Sequence, residues 1–197
     1  MIGEGMAGGG LVFSAGCGGP VGGLHGLWWR LCGVAAPAVR LPFAPGELLE
    51  GSMVSLAELA RRSSLAVFFY RGLGSGGVGD VLDEEWGVER ARVEGWRECE
   101  PELEEMGYEV VGASTQSLEV QAQFALDQLF SFMLLSDSGL LLAEELELPT
   151  KGELGGVRVY EPLTMLIRAE RITWVFYPVD QTRDARNVTD WLRSIHV

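Results

Sequence analysis

The sequence predicts one α/β domain: a central mixed β-sheet flanked by helices on both faces. Three features carry that expectation. The run Leu65, Ala66, Val67, Phe68, Phe69, Tyr70 has strand length and no polar face, as a strand buried on both sides requires. A second apolar strand, Glu109 to Ser114, follows after a helical stretch. Leu163 to Ile167 and Ile172 to Tyr177 flank the four-residue link Arg168-Ala169-Glu170-Arg171 and read as a hairpin. The predicted order is β-α-β-α-(β)-α-β-β-α.

Residues 1–36 are glycine-rich and read as an N-terminal extension, with the domain at 37–197. The first basic residue is Arg30, so the charged start of a secretory signal is missing, although Leu24 to Leu31, with Trp28 and Trp29, has the composition of a short apolar helix. Pro42, Pro45, Gly46 and Gly51 predict an irregular, extended lead-in. Ser55 and Glu58 have the spacing of a capping box, in which a hydroxyl and a carboxylate reciprocally satisfy free backbone donors. After the central strand comes a glycine-rich loop (Gly72, Gly74, Gly76, Gly77, Gly79), then the acids Asp80, Asp83, Glu84 and Glu85. A helix is expected from about Arg90 to Met106, kinked or shortened by Pro101. Val120, Phe124 and Leu126 recur at helical spacing within Ser117 to Leu129, and Phe132 to Leu135 reads as a short extended piece. Ser136 and Asp137 can cap a helix that stops at Pro149. Asp184 to Ile195 closes the chain with Val188, Trp191, Leu192 and Ile195 on one face.

Composition excludes several functions. A formal charge of -13 with a single lysine, Lys151, and scattered arginines argues against nucleic acid, whose phosphates need clustered cations. No apolar run approaches the roughly 20 residues that span a membrane, and no basic amphipathic helix suits a membrane surface. Cys17, Cys32 and Cys99 are an odd count without C-x-x-C spacing, which argues against a disulfide framework, a zinc site or a dithiol. A reducing cytoplasm is the compartment this usage predicts. His25 and His196 are far apart, so no metal or cofactor is expected. Gly72-x-Gly74-x-x-Gly77 matches a dinucleotide fingerprint formally, but acids follow it where a pyrophosphate would lie, and a mobile loop explains it better.

Val54-Ser55-Leu56-Ala57-Glu58-Leu59, Val67-Phe68-Phe69-Tyr70, Gly112-Ala113-Ser114-Thr115-Gln116, Leu134-Leu135-Ser136-Asp137, Leu148-Pro149-Thr150, Leu163-Thr164-Met165-Leu166-Ile167-Arg168 and Val175-Phe176-Tyr177-Pro178 appear in an order and spacing that resembles the peroxiredoxin (redoxin) family. The resemblance covers about residues 53 to 195 and implies a thioredoxin-like fold with peroxiredoxin-type embellishments. In that family a Pro-x-x-x-Thr-x-x-Cys pattern places a reactive thiol at a helix start, where the dipole and an arginine lower its pKa. Aligning Trp96-Arg97-Glu98 with the family's Phe-Arg-Asp places that position at Glu89, or at Val88 with a one-residue shift. The proline and threonine are absent, and Pro162 stands where the resemblance implies a supporting arginine before the Leu163 strand. Three parts of one machine are missing together, so the resemblance implies a degenerate active site.

Each candidate has two readings. Glu89 is a first-turn acid compensating the helix dipole, or a general base in an inherited pocket with Glu84, Glu85 or Arg92. It is expected at or just before the helix start. Cys99, about ten residues on and so roughly 15 Å away, is a small buried residue or a relocated redox thiol; Glu98 and Glu100 would raise its pKa, the wrong direction for a nucleophile. Tyr70, Trp86, Val88, Arg92, Trp96, Ser114, Thr115 and Pro162 are the expected pocket, with Ser114 and Thr115 equally suited to capping the next helix. The functional expectation is a non-peroxidase module acting through a protein partner or an oligomer, a homodimer being what the resemblance implies. It would carry an open apolar patch near Trp86 and Trp96. The alternatives are a thiol oxidoreductase or peroxidase using Cys99 or Cys32 with a thioredoxin-type reductant, or a non-redox enzyme using Glu89.

Overall fold

The computed structural model describes residues 31–44, 52–72, 84–128, 131–154 and 157–195. The leading Gly-rich residues, Cys17, Trp28 and Trp29, and the Gly74 to Asp83 loop lie outside the described residues.

The lead-in contains β1 (Leu41–Ala44) and β2 (Met53–Val54), which pair antiparallel, where the sequence suggested irregular chain. β1 then docks antiparallel on β5 (Met133–Ser136), so tertiary pairing overrides Pro42. Its position near the sheet edge is where a missing N–H donor is tolerated. α1 (Leu56–Ala60) starts with the predicted capping box: Ser55 Oγ accepts from Glu58 N at 3.1 Å and Glu58 accepts from Ser55 N at 3.0 Å.

β3 (Ser64–Phe69) has parallel β4 (Tyr108–Ser114) on one side and antiparallel β8 (Leu163–Arg168) on the other. β5 pairs parallel with β4, and β9 (Arg171–Phe176) pairs antiparallel with β8, giving one seven-stranded sheet in the order β2-β1-β5-β4-β3-β8-β9. The β8–β9 link is tighter than expected. Its two central residues, Ala169 and Glu170, have φ of 50° and 60°, as the right-handed twist of a two-residue hairpin demands. A separate hairpin of β6 (Thr150–Leu154) and β7 (Val157–Tyr160) was not anticipated, because β6 has no apolar period-2 pattern and the alternation of Val157, Arg158 and Val159 in β7 is too short to stand out.

Alternation along β3 sends Ala66, Phe68 and Tyr70 to one face and Leu65, Val67 and Phe69 to the other. The first face packs under α2 (Glu84–Glu105), α3 (Leu118–Gln128) and α5 (Asp184–Ile195), through Val93, Trp96, Leu103, Phe124, Val188 and Leu192. The second meets α1 and α4 (Leu141–Leu146) through Leu56, Leu59, Leu142 and Leu146. Each such side chain contributes about 1.5–3 kcal/mol on burial. Asp137 caps α4 as expected, its carboxylate accepting from the backbone N–H of Leu141 at 2.6 Å and Leu142 at 3.1 Å; Ser136 instead donates to Gln116 O. Ile195 is exposed rather than part of the buried face of α5.

Residues 31–36 join the domain as well. Leu31 and Ala36 are buried, Ala35 bridges Arg171 at the start of β9, and Gly33 and Val34 exchange backbone hydrogen bonds with Ile172. Cys32 is disulfide-bonded, which the odd cysteine count did not anticipate.

Candidate functional site

The parallel strands β3 and β4 end side by side, with Tyr70 N donating to Ala113 O at 3.0 Å, and a polar cluster collects at this end. Carboxyl ends of parallel strands are where α/β folds place ligands, since the chain there is free to turn away. Tyr70 and Arg71 leave β3, Ser114 and Thr115 leave β4, and α2 lowers Glu89 and Arg92 onto them.

α2 begins at Glu84, six residues before the expected start, and continues past Pro101 to Glu105. Glu84 and Glu85 therefore open the helix rather than precede it, and acidic residues are favoured in a first turn. Glu89 accordingly lies in the second turn and not at the helix start.

Arg92 is buried and fully engaged. Its Nε and Nη2 donate to Asp184 Oδ2 at 2.9 and 2.6 Å, Nη1 donates to Phe69 O at 2.6 Å, and Nη2 also donates to Leu163 O at 3.1 Å. Thr164 Oγ1 at 2.9 Å and Trp96 Nε1 at 3.3 Å add their donors to the same carboxylate oxygen. One guanidinium thus joins α2, β3, β8 and α5. It contacts Leu163 O, immediately after Pro162, so an arginine does stand beside the start of β8, supplied by α2 and not by the preceding residue. Asp184 was missed in the sequence because nothing local distinguishes it from an ordinary first-turn acid.

Glu89 is 2% exposed, and neither carboxylate oxygen accepts a hydrogen bond among the described residues. The Arg71 guanidinium stands 3.9 Å away, and the Arg71 main chain is near the carboxylate but short of hydrogen-bond geometry. Burial pushes the Glu89 pKa above its ordinary value, against the opposing pull of Arg92 and Arg71. The Tyr70 hydroxyl is also buried; it lies beside Ser114 and feels the Glu89 charge without making a well-formed hydrogen bond, and desolvation raises its pKa. Thr115 Oγ1 is a further buried oxygen without a partner among the described residues. Ser114 is held by Gln121, whose Nε2 donates to Ser114 Oγ at 2.9 Å and to Leu135 O at 3.0 Å.

Not every expected pocket residue belongs here. Trp96 is fully buried, stacked on Phe68 with centroids 5.0 Å apart, so it is core and cannot contribute to an open apolar patch. Val88 and Pro162 are half-buried. Trp86 lies on α2, but its side chain is outside the described residues. Cys99 is buried in the core beneath α2 and borders a groove of about 240 Å³ with Gly95, Asp184 and Arg186. Its pKa is raised, chiefly by burial and also by Glu102 and Glu98, against a hydrogen bond from Thr189 and the charge of Arg186. Cys32, being disulfide-bonded, is not a free nucleophile. Among the described residues no cluster of His, Cys, Asp and Glu could hold a metal, and no helix is long and apolar enough to cross a membrane.

No protein-family model matches the chain, and no curated protein matches it significantly. Solved structures do. Mycobacterium tuberculosis peroxidoxin BcpB is 22% identical with a TM-score of 0.64, the match covering 84% of this chain and 97% of that one. A cysteine-to-serine variant of Xylella fastidiosa PrxQ is 19% identical with a TM-score of 0.67 over 84% and 97% of the two chains. The fold is that of the peroxiredoxins. Enterococcus faecalis AhpC, 15% identical with a TM-score of 0.62 over 84% of this chain and 92% of that one, has it too. In this chain the peroxiredoxin fold carries the Glu89, Tyr70 and Arg71 cluster at the carboxyl ends of β3 and β4.

Proposed function

We propose that this peroxiredoxin-fold protein has no peroxidase chemistry and works by binding at the β3–β4 end, with Glu89 where the family's reactive thiol would be. The observation that supports this most directly is the state of Cys99, the free thiol among the described residues: it is buried, its pKa is raised, and it lies in the core roughly 15 Å along α2 from Glu89. Reduction of a peroxide requires a thiolate that can reach the O–O bond, and a carboxylate cannot substitute, because it has no accessible oxidised state to be recycled. A homodimer is part of this reading, to be checked by sedimentation.

The test is consumption of hydrogen peroxide with a thioredoxin-type reducing system, run beside Cys99→Ser. The expected result is no turnover in either protein. Turnover that disappears in Cys99→Ser would refute the reading and establish a relocated catalytic thiol.

A further inference from the structure

We propose that Glu89 is a proton-operated latch: while neutral it holds the first two turns of α2 on the β3–β4 end, and on losing its proton it lets them open.

The two parts of α2 are held differently. From Arg92 onward the helix is fixed in the core, with Arg92, Val93, Trp96, Cys99 and Leu103 buried and Arg92 bonded to β3, β8 and Asp184 of α5. The residues before it have little such anchorage. Gly87, Arg90 and Ala91 are exposed and Val88 is half-buried, so Glu89 alone is buried among residues 87–91. Arg90 adds one surface contact, its guanidinium lying 6.0 Å from the centre of the Phe124 ring. Gly87 weakens the helix itself: nothing lies within 4 Å of where its Cβ would be, and glycine is a poor helix former.

The side chain that seats this stretch is therefore a carboxyl, and neither of its oxygens accepts a hydrogen bond among the described residues. Burial of a neutral carboxyl costs little beside burial of a carboxylate without such bonds. The charged and titratable groups facing Glu89 are Tyr70 at the end of β3, Arg71 after it, Arg92 on α2 and Asp184 on α5. Arg92 is committed to Asp184, with 2.6 Å between Nη2 and Oδ2, and Arg71 Nε stands 3.9 Å from Glu89 Oε1, beyond hydrogen-bond distance. The arginines favour the carboxylate, but the loss of solvent outweighs them and raises the pKa of Glu89. Opening returns the carboxyl to water and to its ordinary pKa, so ionisation and opening favour each other.

Hydrogen–deuterium exchange of the full chain from about pH 5 to 8 tests this through the amides of residues 88–91, whose helical bonds run back to residues 84–87. Their protection, corrected for the intrinsic rate at each pH, should fall by up to about tenfold per pH unit above the ordinary glutamate pKa and level off once Glu89 ionises in the closed state. At every pH it should be lower than that of residues 96–100, which the core holds. Glu89→Gln has no proton to lose and should show no fall. Gly87→Ala, at an exposed position, should raise the protection of residues 88–91 about fivefold throughout and leave the pH slope unchanged. A flat profile in the wild type, the same fall in Glu89→Gln, or equal protection in the two stretches of α2 would overturn the proposal.

Discussion

Asp184→Asn is the most searching perturbation of the fold. The substitution keeps size and shape but removes the charge that receives four donors, from Arg92 Nε and Nη2, Trp96 Nε1 and Thr164 Oγ1. Arg92 cannot adapt, because its side chain is 0% exposed and its remaining bonds run to Phe69 O and Leu163 O. Breaking a buried ion pair from one side costs about 3–5 kcal/mol, since it leaves a charge without compensation in a medium that solvates it poorly. For a chain of this length about 1 kcal/mol shifts Tm by about 2–4 °C, so a fall of about 6–20 °C is expected. Urea unfolding followed by tryptophan fluorescence measures the loss directly. The double variant Arg92→Met with Asp184→Leu removes both charges and should recover most of it, because a matched apolar pair stabilises about as well as a buried ion pair. A loss below about 1 kcal/mol in Asp184→Asn, or a double variant as unstable as the single one, would refute the assignment of Arg92 as the join between α2, β3, β8 and α5.

Two further outcomes follow from the same packing. Glu89→Met should stabilise the protein by about 1–3 kcal/mol at neutral pH, read from urea unfolding, because it removes a buried carboxylate that accepts no hydrogen bond among the described residues. The pH dependence has a definite sign: the folded-state pKa of Glu89 is raised, so the native state holds the proton more tightly, and the contribution of Glu89 to stability falls as pH rises from the ordinary glutamate value through the raised one. That fall should be absent from Glu89→Met, and a variant with the wild-type slope would contradict the assigned ionisation. Gly112→Ala in β4 should destabilise by about 1–3 kcal/mol, measured by thermal unfolding, because its Cβ would lie 2.7 Å from Leu134 Cδ2 and 3.0 Å from Phe68 Cζ. A neutral result would mean that the β3–β4–β5 layer is looser than these distances require.

The sequence by itself determined what depends on near neighbours along the chain. β3 was legible because six consecutive apolar residues have few alternatives to a buried strand, and the Ser55 and Glu58 cap was legible because both halves lie within one turn. The order and spacing of those pieces also sufficed for the resemblance that the structural comparisons match at the level of the fold. Local patterns were less able to fix boundaries: Glu84 and Glu85 suit an acidic loop and a helix's first turn equally well, and β6 carries no period-2 signal while that of β7 spans only a few residues. Tertiary structure alone decided the electrostatics. Arg92 and Asp184 are 92 residues apart in sequence, and only the packing of α5 on α2 brings their charges together away from water. The same holds for Glu89, whose carboxyl is an ordinary helix acid in the sequence; its protonation is set by the solvent it loses and by the distances to Arg71 and Arg92, quantities that exist only once the chain has folded.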